Sequence, residues 1–188
     1  MDTPPCSAYS KVHRISQAKN PTRPMLPQMI CTVFGIGYLR PGPGTWGSVA
    51  ALPAAWALHI MGGATLLGVM IVLVFALGLW GTTRMTSGAD THDPSEIVID
   101  EVVGQWIALL PVSLGASMRG VEITALWPGW VAAFVLFRFF DIVKPGLVRR
   151  ADLREDAIGV MLDDVVAGVF AALGTVALAA IAHRIFML

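Results

Sequence analysis

Residues 64–81, ATLLGVMIVLVFALGLWG, form an apolar run without one charged side chain. Their reading decides the fold, because a run of this length comes close to the roughly 20 residues that cross the hydrocarbon core of a bilayer as a helix. Gly62 and Gly63 precede it, and before them residues 47–61, GSVAALPAAWALHIM, make a shorter apolar run interrupted by Pro53. Two apolar runs with a glycine pair between them predict a helical hairpin. Downstream lie three more apolar segments: residues 96–114, the stretch WPGWVAAFVLFRFFDIV at 127–143, and residues 157–182. The composition agrees, with 55% hydrophobic and only 14% charged residues and a mean hydropathy of +0.68, where a soluble domain carries about 25% charged residues. The expected fold is therefore all-α: a polytopic membrane bundle of four or five apolar helices, the first short enough to be re-entrant.

Residues 1–24, MDTPPCSAYSKVHRISQAKNPTRP, are polar, Pro-rich and basic. They lack the apolar core and cleavage site of a secretory signal, so a flexible basic cytoplasmic arm is expected, followed by a single membrane-embedded domain over 25–188. Cys6 and Cys31 have no spacing that suits a zinc site or a disulfide framework, and reduced thiols are expected. The formal net charge is zero, and the expected partners are the membrane and an anionic phospholipid, not a nucleic acid; an oligomer is left open.

Lysines and arginines in short loops orient such a chain. If five segments cross from a cytoplasmic arm, Arg40, Arg84, Lys144, Arg149, Arg150 and Arg154 share the inner face with the arm, while Arg119 and Arg184 fall outside. The same threading brings every polar motif to the inner end: the loop GIGYLRPGPGTWGS (35–48), THDP (91–94), the pair Asp100/Glu101, Asp141, Lys144 and the pair Asp163/Asp164.

An unpaired carboxylate in an apolar setting is costly, so adjacent acids in EIVIDEVVGQWIALLP (96–111) require a cation nearby. Neighbours on a helix point about 100° apart, so one acid of each pair can face the bundle interior. With Asp93 and Asp141, the two pairs offer six carboxylates, a donor set suited to Mg²⁺ or Mn²⁺; Asp93 also suits a helix cap. The glycines of the Gly/Pro-rich loop, with Thr45 and Ser48 at a helix entry, suit a phosphate group but also a plain turn. In FRFFDIVKP, Arg138, Asp141 and Lys144 recur at helical spacing, which fits either a metal ligand between phosphate binders or an ion-pair ladder.

Together RPGPGTWGS, EIVIDEVVGQWIALLP, FVLFRFFDIVKP and GVMLDDVVAGV resemble, in order and spacing, the phosphatidylglycerophosphatase A family over residues 35 to about 172. The resemblance implies a Mg²⁺-dependent phosphatase of the bacterial inner membrane that removes the terminal phosphate of phosphatidylglycerol phosphate, with its active site facing the cytoplasm. It implies Asp100, Glu101, Asp141, Asp163 and Asp164 as catalytic residues, Asp93, Asp100, Glu101, Asp163 and Asp164 as metal ligands, and Thr45 and Lys144 at the phosphate; from the residues themselves, Ser48 and Arg138 are expected to join these two as phosphate binders. The alternative weighed against it is a membrane cation or proton carrier, which requires carboxylates near the bilayer midplane and paths to both sides.

Overall fold

The structure, a computed structural model, describes residues 25–87, 94–154 and 156–186. The expectations for the arm at 1–24 and for Asp93 lie outside the described residues. In chain order the elements are α1 (Met25–Cys31), a 3₁₀ turn (Ile36–Tyr38), α2 (Pro43–Thr86), α3 (Ile99–Arg119), a second 3₁₀ turn (Ile123–Leu126), α4 (Trp127–Val143), α5 (Leu147–Asp152) and α6 (Ala157–Phe186). No strand occurs among the described residues. Four helices, α2, α3, α4 with its preceding turn, and α6, are long and apolar enough to cross a membrane.

α2 is two helices joined at a break. Gly63 adopts φ 63° and ψ −158°, a conformation open to glycine and closed to side chains. The contacts show a hairpin. Gly47 adjoins Val98 and Glu101 at the start of α3, His59 Nδ1 lies 2.7 Å from Ser113 Oγ, and Gly63 adjoins Ser117 near the end of α3. Gly78 has returned to Ile99 and Met161. A straight helix of 44 residues would be ~66 Å long and could not follow α3 outward and come back to its first turn. The first arm (43–61), passing through Pro53 without a break, therefore runs the length of α3, and the second arm (64–86) runs back. The bundle has five apolar segments, the first as long as a crossing requires.

α3 is the central helix. Of its most apolar window 61% is buried inside the protein, against 11–22% for the other three helices, and its hydropathy of 1.2 is the lowest of the four. A helix shielded from lipid on most sides can carry polar groups that the outer helices cannot. The outer helices turn Val72, Leu73, Val135, Phe139, Leu173 and Val176 outward. So broad an apolar surface is matched by hydrocarbon.

Close contacts hold α3 in place. A Cβ on Gly168 of α6 would meet the backbone of Gly104, and one on Gly104 would meet the Phe137 ring and the Asp164 carbonyl. Trp106 Nε1 donates a 2.9 Å hydrogen bond to the Ala51 carbonyl, tying α3 to the first arm. At the same end as Gly44 and Asp141, the C-terminus of α1 is tied to the residue before α3, its Cys31 carbonyl accepting from Val98 N at 2.9 Å. Burial pushes the Cys31 thiol up to about 11, so it stays protonated at neutral pH.

Candidate functional site

The acidic pairs are resolved by the same local device on two helices. Asp100 Oδ1 accepts the backbone N–H of Glu101 at 2.9 Å, and Asp163 Oδ1 accepts that of Asp164 at 3.0 Å. In each pair the first carboxylate folds back on its own helix, and the second, Glu101 or Asp164, projects into the bundle. There these two meet Asp141 of α4, with one carboxylate oxygen of each lying within 4.8 Å of the others. All three residues are at most 9% exposed.

The cation that the apolar setting requires is Arg138. Its Nη1 donates to Glu101 Oε2 and forms an ion pair, at 2.9 Å, with Asp141 Oδ2, one turn along the same helix. Ser48 Oγ lies 2.8 Å from Glu101 Oε2 and 3.0 Å from the Gly44 carbonyl, so its single proton can be given to either acceptor. Gly44 itself sits against the site. A Cβ there would collide with the Glu101 carboxylate and crowd Arg138 Nη1. This close approach is what the glycine in the loop PGPGTWGS provides.

Lys144 is placed otherwise than helical spacing predicts. α4 ends at Val143, since Pro145 cannot continue the helix, and Lys144 caps it in the left-handed conformation, φ 48° and ψ 58°, its N–H donating to the Phe140 carbonyl at 2.9 Å. Lys144 therefore leaves the Arg138–Asp141 face. Its Nζ donates to Asp163 Oδ2 at 2.7 Å and to Asp152 of α5. Partial burial opposes its charge, but these two bonds outweigh that and hold its pKa above the ordinary lysine value. Asp163 thus belongs to a second ion-pair group beside the triad of Glu101, Asp141 and Asp164. Thr45, in the first turn of the first arm, is exposed, whereas Ser48 one turn on is fully buried. Asp100 is buried beside Glu101. Asp93 lies outside the described residues.

One residue absent from the sequence expectations stands out. Gln105 is 0% exposed, and among the described residues neither its Nε2 nor its Oε1 has a hydrogen-bond partner; Arg138 Nε is buried and unpartnered among them too. The available signal was the spacing of four from Glu101 on an otherwise apolar helix.

The donor set fits a hard divalent cation. Three carboxylates share one guanidinium, and carboxylate oxygens without sulfur or imidazole are the ligands such ions take. The site lies near one end of the bundle. Glu101 is in the first turn of α3 and Asp141 in the last turn of α4, while Asp164, seven residues beyond the start of α6, is roughly 10 Å in from that end. A carrier's carboxylates would stand at mid-membrane with access to both faces, and this arrangement does not favour one.

Comparison with known proteins follows the same segment of chain. The family model described as Phosphatidylglycerophosphatase A matches residues 29–179. A protein of that name from Haemophilus influenzae is 35% identical over 144 residues, covering 76% of this chain and 82% of the relative. One from Escherichia coli is 34% identical over 146 residues, covering 77% and 78%. A Bacteroides thetaiotaomicron protein, provisionally named a phosphatidylinositol-3-phosphatase, is 39% identical over 150 residues, covering 77% and 88%. No solved structure matches the chain.

Proposed function

The chain belongs to the phosphatidylglycerophosphatase A family, and from that membership we propose that it hydrolyses the terminal phosphate monoester of phosphatidylglycerol phosphate, giving phosphatidylglycerol and phosphate in phospholipid synthesis. The observation that carries the reading is the convergence of Glu101, Asp141 and Asp164 on Arg138, all inside the family segment. The reaction breaks the bond between phosphorus and the glycerol oxygen and forms one between phosphorus and a water oxygen, with a proton from water ending on the glycerol hydroxyl.

Glu101, Asp141 and Asp164 are the residues that would hold Mg²⁺, with Asp100 and Asp163 fixing the helix turns that present them. When bound, the ion supplies positive charge against the phosphoryl oxygens as charge develops on them. Arg138 is oriented by Glu101 and Asp141, leaving its other N–H groups to bind phosphate; its planar fork suits that geometry. Lys144 and exposed Thr45 stand at the rim, where a charged headgroup arrives. Ser48 and Gly44 close the site from the first arm, keeping bulk water away from Glu101.

The bacterial inner membrane is the compartment this reading implies, with the site facing the cytoplasm. Arg40, Arg84, Lys144, Arg149, Arg150 and Arg154 stand at the end of the carboxylates and Arg119 and Arg184 at the other, as an excess of inner-loop cations requires. A cysteine at exposed Ser87 should resist a membrane-impermeant thiol reagent on intact cells while one at exposed Ser117 reacts; the reverse pattern places the site outside. The name of the Bacteroides relative favours a second substrate of the same chemistry, a phosphate monoester on an inositol lipid. Purified protein should release phosphate from phosphatidylglycerol phosphate with Mg²⁺ and not with EDTA. Preferential release from phosphatidylinositol 3-phosphate would transfer the assignment to that lipid, and release from neither would overturn it.

A further inference from the structure

Gln105 is a neutral polar side chain enclosed in a membrane bundle, with no hydrogen-bond partner among the described residues. Burying an amide without partners is costly, and a leucine or methionine would fill the same space without that cost. Arg138 Nε shares the condition: buried, a donor, and unpartnered, although the Nη1 of the same guanidinium is engaged by Glu101 and Asp141. The two lie on facing helices at neighbouring levels. Gln105 follows Glu101 by four residues on α3, hence on the same face, and helical side chains lean toward the helix N-terminus, which for Gln105 means toward Glu101 and its Arg138 partner.

We infer that Gln105 and Arg138 Nε form a headgroup subsite, in which the carboxamide and the N–H hydrogen-bond the oxygens of the bridge that joins the terminal phosphate to the lipid. The inference rests on the phosphatase reading above. Its geometry follows from the lie of a lipid in the bilayer. With the terminal phosphate at the carboxylate triad, the acyl chains extend toward the membrane centre, and the glycerol hydroxyl and phosphodiester fall between. Gln105 is one turn, roughly 6 Å, deeper than Glu101 along α3. The chemistry also matches. Two amide N–H groups and the Nε–H are donors for diester oxygens, and the amide oxygen accepts from a hydroxyl. A site built to hydrogen-bond such a group discriminates against a substrate that lacks it.

The test compares two phosphate monoesters in the same detergent micelles: phosphatidylglycerol phosphate, which has the bridge, and phosphatidic acid, which carries its phosphate directly on the diacylglycerol. In Gln105→Met, of similar length and flexibility, kcat/KM should fall about tenfold more for the first than for the second. The ratio is measured on one preparation and does not depend on the folded fraction. An unchanged ratio, whether both activities fall together or neither does, overturns the subsite and leaves the amide to a bound water or to packing. If wild-type protein is inactive on phosphatidic acid, kcat/KM on phosphatidylglycerol phosphate per molecule in the monodisperse size-exclusion peak decides: a tenfold loss supports the subsite and wild-type activity removes it. A wild-type protein that releases no phosphate from phosphatidylglycerol phosphate overturns the phosphatase reading and this inference with it.

Discussion

Replacing Arg138 with methionine should expose how the carboxylate triad is held together. The substitution keeps most of the aliphatic volume and removes the charge shared by Glu101 and Asp141. Side-chain exposure at the three residues is 15%, 11% and 12%, so solvent screening is weak. Removing one partner of a buried ion pair costs about 3–5 kcal/mol. A second route gives a similar figure: carboxylate oxygens within 4.8 Å repel by about 3.5 kcal/mol at an effective dielectric constant near 20. At roughly 2–4 °C per kcal/mol for a chain of this size, Arg138→Met should melt roughly 10 °C below wild type in detergent with EDTA, followed by tryptophan fluorescence. A divalent cation can take over the lost charge, and a ligand at a hundred times its Kd adds about 2.7 kcal/mol. Wild-type protein gains this as well, but the variant's triad, freed of the competing guanidinium, should bind Mg²⁺ more tightly, so saturating Mg²⁺ should raise both melting temperatures and narrow the gap, while phosphate release stays low for want of the guanidinium. Equal melting temperatures in EDTA would refute the role of Arg138 as counterion. Melting temperatures that Mg²⁺ leaves untouched in both proteins would refute the triad as the cation site.

Gly44→Ala should lower turnover at least tenfold, because its Cβ collides with the Glu101 carboxylate, whereas Gly68→Ala, with open space around it, should leave phosphate release unchanged and stabilise the helix by roughly 0.5–1 kcal/mol. Asp164→Asn should abolish Mg²⁺-dependent phosphate release and Asp163→Asn should reduce it less, since only Asp164 enters the triad; equal losses would erase that distinction. Lys144→Met should lower the melting temperature by an amount that is level from about pH 6 to 9. Its folded pKa is raised, so the stabilisation is complete below the ordinary lysine value, ~10.4, and is lost only as pH rises through the higher folded value; thermal melts across that range check the sign.

Much of this protein is legible in its sequence alone. The membrane class, the turn at Gly62–Gly63, the five apolar segments and the gathering of acids at one end follow from local hydropathy and loop charge, quantities that need no knowledge of packing. The pairing of Arg138 with Asp141 could be read from their spacing on one helix. Which acid of each pair enters the site could not. In a soluble helix the apolar stripe fixes which face turns inward, but here lipid-facing and core-facing surfaces are both apolar, so the pattern leaves the rotation of each helix undetermined. That rotation was decided by contacts between distant residues: Gly104 against Gly168, Gly44 against Glu101, and Arg138 reaching Glu101 across 37 positions of sequence. The departure of Lys144 from its expected face is local in cause, set by Pro145, but its partners Asp152 and Asp163 are known only from the way α5 and α6 return to the bundle. The isolation of Gln105 is tertiary for the same reason, since a polar side chain lacks a partner only with respect to everything packed around it.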